Sequence, residues 1–428
     1  MGTVLIVISL LISVVWLRHR KRRLDMVAGL VVGNIFFALV PMLMVPLFGE
    51  IVAEGLPIEP FTYASPSFGL YVLMFSIAFI LADELSRLLA ANWRRPITIV
   101  RPPRDTTFSE FRYVFVFATI SLLITFFNSG KLSGAHWAAH ADTGIIGSIL
   151  SVLALSLRSY LFAHAIIALR EHRARTMLIM IVFTVLDIIL TGNRITALYL
   201  AFAVFFSGAF SYKTLIPTTV IIFPVGFILA VFYPAFRGVV WSQFGGFSGF
   251  TEAFKYVWIN GLPTAFDLSN IYKLFEGGNV VVFQYIFETF GHSHAFLYGE
   301  TVIVKPLTFL IPRVIFPDKP LGLGTRLGND IFGFQGLSLN SLMLGEFYAN
   351  FGWLAPLAIL VIISVVQTLL RGIHTFQEKQ YQLSLFVIAF SSWRHEFNYI
   401  FFSFFLLAFV IKAIKFIVRV RIRVKQPI

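Results

Sequence analysis

Apolar runs of roughly 20 residues, long enough to cross a hydrocarbon core about 30 Å thick, recur along nearly the whole chain. They lie near 2–17, 26–48, 68–90, 113–127, 144–169, 176–191, 195–210, 215–236, 342–370, 383–392 and 399–418, about eleven in all. The shortest, 383–392, must borrow length from its flanks. Between 237 and 341 the pattern stops, and about a hundred residues rich in Gly, Pro, Arg and aromatics cannot cross a bilayer. Structureless connections much longer than about 15 residues are uncommon, so an insertion of this size reads as a working loop.

Composition agrees with this pattern. The chain is 58% apolar and 13% charged, with mean hydropathy +0.83, whereas soluble proteins average about 25% charged. The expected fold class is an all-α polytopic membrane protein, because continuous apolar runs without strict alternation exclude a barrel. Three parts follow: helices one to eight over 1–236, the loop over 237–341, and helices nine to eleven with a basic tail over 342–428.

Lys and Arg set the orientation. Arg18, Arg20, Lys21, Arg22 and Arg23 follow the first span; Arg94, Arg95, Arg101 and Arg104 follow the third. Arg170, Arg173 and Arg175 follow the fifth; Arg419, Arg421, Arg423 and Lys425 follow the last. All fall on one side, which the positive-inside rule makes cytoplasmic, so the N-terminus and the long loop face outward. The net charge of +13 is mostly this topological signal, and no nucleic-acid partner is expected. The 18–23 run reads as a solvated or headgroup-facing stretch. The first span carries its charges after it and reads as an anchor rather than a removable signal.

With no cysteine, disulfides, iron–sulfur clusters and thiolate chemistry are excluded. No Walker loop, metalloprotease pattern or internal repeat is found, and the nine His lack ligand spacing. No metal or cofactor is expected.

Basic residues that depart from the cytoplasmic bias include Arg194 in a Gly-Asn-Arg turn, Arg237 at the end of the eighth span, Arg313, Lys319 and Arg326 in the loop, and Arg394 in Ser392-Trp393-Arg394-His395-Glu396. Singly, each reads more simply as a cation snorkelling to headgroups. Together they place guanidinium forks, which bind phosphate bidentately and do not lose their proton, on one outer face. Within the spans, Arg158 lies twelve residues before Arg170 and Asp187 twelve after Arg175. In an antiparallel helix pair both would sit about 18 Å from the turn, and we expect them to pair. Asp83 and Glu84 mark the inner end of the third span or a charged site within it.

In the loop, Val280–Val282, Phe283, Tyr285, Ile286, Phe287 and Phe290 read as a short helix, lying on the membrane surface or buried under the loop. Pro312, Pro317 and Pro320 stiffen the backbone around Arg313.

Ile311-Pro312-Arg313-Val314-Ile315-Phe316-Pro317-Asp318-Lys319-Pro320, followed by Gly345-Glu346-Phe347-Tyr348-Ala349-Asn350-Phe351-Gly352-Trp353, resembles the Wzy-type O-antigen polymerases of bacterial inner membranes. The Arg194 turn, the late Arg394 and the single long outer loop are similar to that family's pattern. The resemblance implies a GT-C-type membrane glycosyltransferase acting without metal or nucleotide sugar. It would transfer a growing glycan from undecaprenyl pyrophosphate onto the non-reducing end of a lipid-linked repeat unit. Its partners would be that lipid-linked oligosaccharide, membrane lipid and a chain-length regulator protein.

Departure of a polyprenyl pyrophosphate builds negative charge on the leaving oxygen, which preorganised arginines would stabilise. Arg194, Arg313 and Arg394 are the catalytic candidates for that task, with Arg237, Lys319 and Arg326 binding substrate. The attacking hydroxyl needs a proton acceptor or an orienting partner. Glu346 and His292 are candidates there, and His294 and Asn350 are candidates for substrate contact; Glu346 serves equally well as a structural carboxylate. Trp241, Tyr298, Phe316 and Trp353 could stack sugar faces. A ligase delivering the glycan to lipid A-core or protein would share these features, and a flippase would instead place cations at mid-bilayer.

Overall fold

A computed structural model describes residues 1–20, 24–53, 55–93, 107–129, 144–171, 173–191, 195–207, 255, 258–259, 272, 275–309, 311, 315–334, 338–372, 379–394, 397, 400–407 and 409. Among these, regular structure is helical throughout, and the two β-bridges, Ile51 with Phe61 and Phe290 with His294, are isolated. Among the described residues, five stretches are long and apolar enough to span a membrane: Gly2–His19, Met26–Leu47, Pro66–Ala90, Ile149–Arg170 and Leu342–Arg371. The chain is therefore an all-α protein of membrane-embedded character. Of the eleven expected spans, 215–236 lies outside the described residues.

The longer helices are α1 (Gly2–His19), α2 (Met26–Asn34), α3 (Val40–Phe48), α4 (Pro66–Trp93), α5 (Thr107–Ser129), α6 (Gly144–Arg170), α7 (Ala174–Thr191), α8 (Ile195–Ser207), α9 (Gly278–Thr289), α10 (Leu342–Phe351), α11 (Ala355–Gly372) and α12 (Lys379–Ser391). A π turn at Ile35–Leu39 joins α2 to α3. Pro41 follows it, and a proline ring clashes with the carbonyl four residues earlier, so a locally widened helix relieves that contact.

In lipid the backbone satisfies itself within each helix, so close approach and side-chain polarity decide which helices pair. Gly29 and Gly33 lie one turn apart on α2, and α12 packs on that face. A Cβ built at Gly29 would fall 2.2 Å from the Phe386 carbonyl, and one at Gly33 would fall 2.1 Å from the Trp393 indole. The indole Nε1 donates to the Leu30 carbonyl at 2.9 Å. Gly2 and Gly69 let α1 and α4 touch in the same way. Between α2 and α4 the Asn34 amide donates to Ser76 Oγ at 2.8 Å.

One end of the bundle is fixed by charge. Asp83 on α4 is fully buried. It accepts from Arg20 at 3.3 Å, Arg87 at 2.6 Å, Arg371 at 3.1 Å and the Gln367 amide at 3.2 Å. Arg20 also forks onto Asp25, with both contacts at 2.7 Å, and Asp25 caps α2 by accepting from the Ala28 amide. Arg20 belongs to the basic run expected to be solvated, yet its side chain is only 6% exposed. Lys21, Arg22 and Arg23 lie outside the described residues. Burial works against the charge on Arg20, but the Asp25 hydrogen bond and the carboxylates around it raise its pKa.

Arg158 and Asp187 pair as expected, at 2.7 Å. Arg158 also donates to Thr125 at 2.8 Å, and Thr196 donates to Asp187 at 2.5 Å. Matched depth on α6 and α7 thus becomes a polar tie among four helices. Removing one partner of a buried ion pair typically costs about 3–5 kcal/mol. We expect Arg158→Ala and Asp187→Ala each to reduce the yield of monodisperse, detergent-extracted protein. The charge exchange Arg158→Asp with Asp187→Arg should recover much of it, and failure of the exchange would assign Arg158 a role beyond this pair.

Candidate functional site

The loop helix anticipated from the sequence is α9. Its Gln284 amide bonds Glu288 at 2.8 Å, but the helix is not laid open to a membrane surface. Val280, Val281, Val282, Phe283, Ile286 and Phe287 are buried. Phe283 and Phe287 pack beside Phe68, Tyr71, Tyr348 and Trp353. Gly345 lets α9 approach α10, since a Cβ there would meet Ile286 at 3.1 Å. This helix of the loop is part of the core.

Around α10 the polar residues gather. At its start, Leu342 adopts φ 56, and its amide is caught by the Asn340 side chain at 3.1 Å. The Asn340 amide reaches the Trp393 carbonyl at 3.1 Å, so the start of α10 is bonded to the end of α12. At its other end Asn350, fully buried, accepts from the Thr301 backbone amide and donates to Thr301 Oγ1 and the Glu346 carbonyl, both at 2.7 Å. Asn350 therefore joins the loop to α10 through its own side chain.

Arg394 occupies the turn after α12. Its Nε donates to Glu276 at 2.5 Å, with side-chain exposures of 21% and 13%. Glu276 has φ 56 and precedes two glycines that start α9. On the other side of the turn, Glu346, 3% exposed, accepts the Phe397 amide at 2.9 Å. The stretch from Arg394 to Phe397 is thus held between two carboxylates. The structural role foreseen for Glu346 has a contact; His395 and Glu396 lie outside the described residues.

The depth of this turn follows from α4, used as a ruler. Phe79 stands near the midpoint of the Pro66–Ala90 segment, about 6 Å from Asp83 along the axis. Its ring lies 6.0 Å from that of Trp393. Arg394 therefore adjoins the middle of the bundle, deeper than the outer turn expected from the sequence. Arg394, Arg158 and Glu276 all lie within electrostatic reach of the buried Tyr199. Tyr199 also lines a small cavity with Phe162, Phe202, Phe386 and Phe390.

The other candidates are placed as follows. Arg326 pairs with Glu300 at 2.6 Å. Lys319 donates to the Phe309 carbonyl at 2.7 Å and the Ile311 carbonyl at 3.1 Å. His294 meets the Tyr285 hydroxyl at 3.2 Å; burial pushes that phenol up, so it stays neutral. His292 is exposed, in a turn where its amide bonds the Thr289 carbonyl. Tyr298 is 82% exposed, with φ 47, and is followed by Gly299 at φ 88. Arg194, Arg237, Trp241 and Arg313 lie outside the described residues, as does any meeting of their guanidinium groups with Arg394. Among the described residues, no three His, Asp or Glu side chains are grouped to hold a metal ion.

Sequence reasoning missed Glu276 and Glu300, the carboxylates facing Arg394 and Arg326. The signal for both was an adjoining glycine: Gly277 and Gly278 after Glu276, Gly299 before Glu300. Comparison with known protein families, curated proteins and solved structures finds no match.

Contacting groups in one buried network couple by about 0.5–3 kcal/mol. In a double-mutant cycle of Arg394→Ala and Glu276→Ala, read by thermal unfolding in detergent, we expect a favourable coupling above 1 kcal/mol. A coupling near zero would make the pair incidental.

Proposed function

We propose that this protein is a polysaccharide polymerase of the bacterial inner membrane, an inverting, metal-independent glycosyltransferase of GT-C-like architecture with about eleven spans. It transfers a growing glycan from undecaprenyl pyrophosphate onto the non-reducing end of a lipid-linked repeat unit. The Asp83 end of the bundle faces the cytoplasm, and the long loop and N-terminus face the periplasm. The observation that carries the reading is the Arg394 turn held between Glu276 and Glu346. It supplies a guanidinium fork able to exchange its carboxylate partner for a phosphate, beside a second carboxylate able to orient a sugar hydroxyl. Arg194 and Arg313 join Arg394 in stabilising the departing diphosphate, and Arg237, Lys319 and Arg326 support binding. In this reading the polymerase and a ligase differ only in the acceptor.

A second reading has an observation in its favour. The mid-bundle depth of Arg394 and the paired Arg158 are what a carrier of lipid-linked oligosaccharide would need to pass an anionic headgroup through the membrane.

Surface glycans of a deletion strain, separated on a gel, discriminate among the three. Single capped repeats follow from loss of a polymerase, full-length polymer retained on its lipid from loss of a ligase, and repeats stranded inside from loss of a carrier. For the polymerase, losing one transition-state donor costs about 100- to 1,000-fold in rate. Arg194→Ala and Arg313→Ala should therefore leave folded, inserted protein and collapse the ladder to single repeats. The corresponding Lys variants should rescue poorly, since a point charge lacks the bidentate fork. Wild-type ladders in both Ala variants would remove these residues from the mechanism.

A further inference from the structure

The helical stretch 300–308, a π turn over Glu300–Val304 followed by Lys305–Thr308, has one face against the protein and an apolar face left open. Thr301, Val302 and Phe309 are buried. Ile303 is 45% exposed, Val304 39%, Leu307 75% and, just beyond, Ile311 37%. Ile303, Leu307 and Ile311 recur at four-residue spacing, so they form a stripe rather than scattered side chains.

Three observations name what covers that stripe. First, it continues a surface already committed to lipid. Gly299, at the root of the segment, would place a Cβ 3.5 Å from the Phe351 ring at the break between α10 and α11. From that break Leu354, Leu357, Val361, Val365 and Leu369 run exposed down α11, at the spacing of a lipid-facing stripe. Second, the break stands at the membrane's far side. Ser364 bonds the Ala82 carbonyl, and Trp353, eleven residues earlier, lies about 17 Å further from the Asp83 end. Third, the chemistry suits an anionic bilayer surface. From Thr301 to Pro317 there is no acidic residue, and Lys305 lies on the segment. The Lys319 ammonium satisfies the carbonyls of Phe309 and Ile311, a device needed where water is scarce.

We propose that this segment is a membrane foot. Ile303, Val304, Leu307 and Ile311 enter the acyl region of the leaflet opposite the Asp83 end, and Lys305 lies at its headgroups. The foot would hold the Glu300–Arg326 pair and the Asn350 bracket at headgroup depth. The inference does not rest on the glycan reading; it concerns the lipid surface alone.

Because the chain has no cysteine, one introduced thiol is unique. Full-length Leu307→Cys, labelled with an environment-sensitive fluorophore, is reconstituted in nanodiscs of phosphatidylethanolamine and phosphatidylglycerol. Asp330→Cys, at an exposed charged position, serves as the aqueous reference, and Ile303→Cys replaces Leu307→Cys should the latter fold poorly. We expect blue-shifted emission at 307, loss of most of it to nitroxide-labelled lipid, and little loss to aqueous iodide, with the reverse at 330. Iodide quenching at 307 equal to that at 330 would overturn the foot. So would a label shielded from both quenchers whose emission depends on a second copy in the disc or on an added partner protein, since protein would then cover the stripe.

Discussion

The bundle depends on a single carboxylate. Asp83 has no exposed surface, and an unpaired charge there would cost several kcal/mol. Arg20 beyond α1, Gln367 and Arg371 on α11 and Arg87 one turn along α4 converge on it, and Arg20 carries the connection on to Asp25 and the first turn of α2. The relative heights of α1, α2, α4 and α11 are thereby set at one end. Other contacts follow at fixed distances along the axes: Ser364 on Ala82, Phe79 beside Trp393, Tyr71 against the Leu344 carbonyl at 2.9 Å.

That registration explains how α9 could be apolar and aromatic without being a surface feature. Once α4 is held at its charged end, the Phe68–Tyr71 region becomes a wall on which Phe283, Phe287 and Tyr348 close. Three non-glycine residues adopt left-handed φ among the described positions, and they are Glu276, Tyr298 and Leu342. Such conformations cost of order 1 kcal/mol or more and persist where surroundings over-determine them. Glu276 faces Arg394, Leu342 opens the helix bearing Glu346, and Tyr298 roots the exposed stripe. The strain is therefore concentrated where the loop meets the helices.

How much of this was legible in the sequence depended on the kind of signal. Helices α1, α4, α6 and α7 follow directly from apolar length, and the Arg158–Asp187 pair follows from equal spacing to a shared turn. Those are properties of one segment or of two neighbours. The depth of Arg394 was not legible, because it depends on α12 ending at the level of Phe79, on a different helix. For a related reason α9 reads from sequence either as a membrane-surface helix or as a buried one: its apolar face is wide enough for lipid or for protein, and only the aromatics on α4 and α10 decide between them. Asn350, a candidate for substrate contact, brackets Thr301 and the Glu346 carbonyl, and its pairing with Thr301 is a long-range one that spacing along the chain does not encode. The glycines at 29 and 33 carried a readable small-residue signature for close packing that was passed over.

Those two glycines leave a trace in what heredity can tolerate. The notch at Gly33 holds the Trp393 indole, whose backbone carbonyl in turn carries Asn340 and, through it, the opening of α10. Even a methyl group at position 33 would evict the indole and disturb elements that are hundreds of codons away in the gene. Position 29 is as tight, against the Phe386 carbonyl, so this buried greasy helix carries two sites where the smallest possible change is already too large.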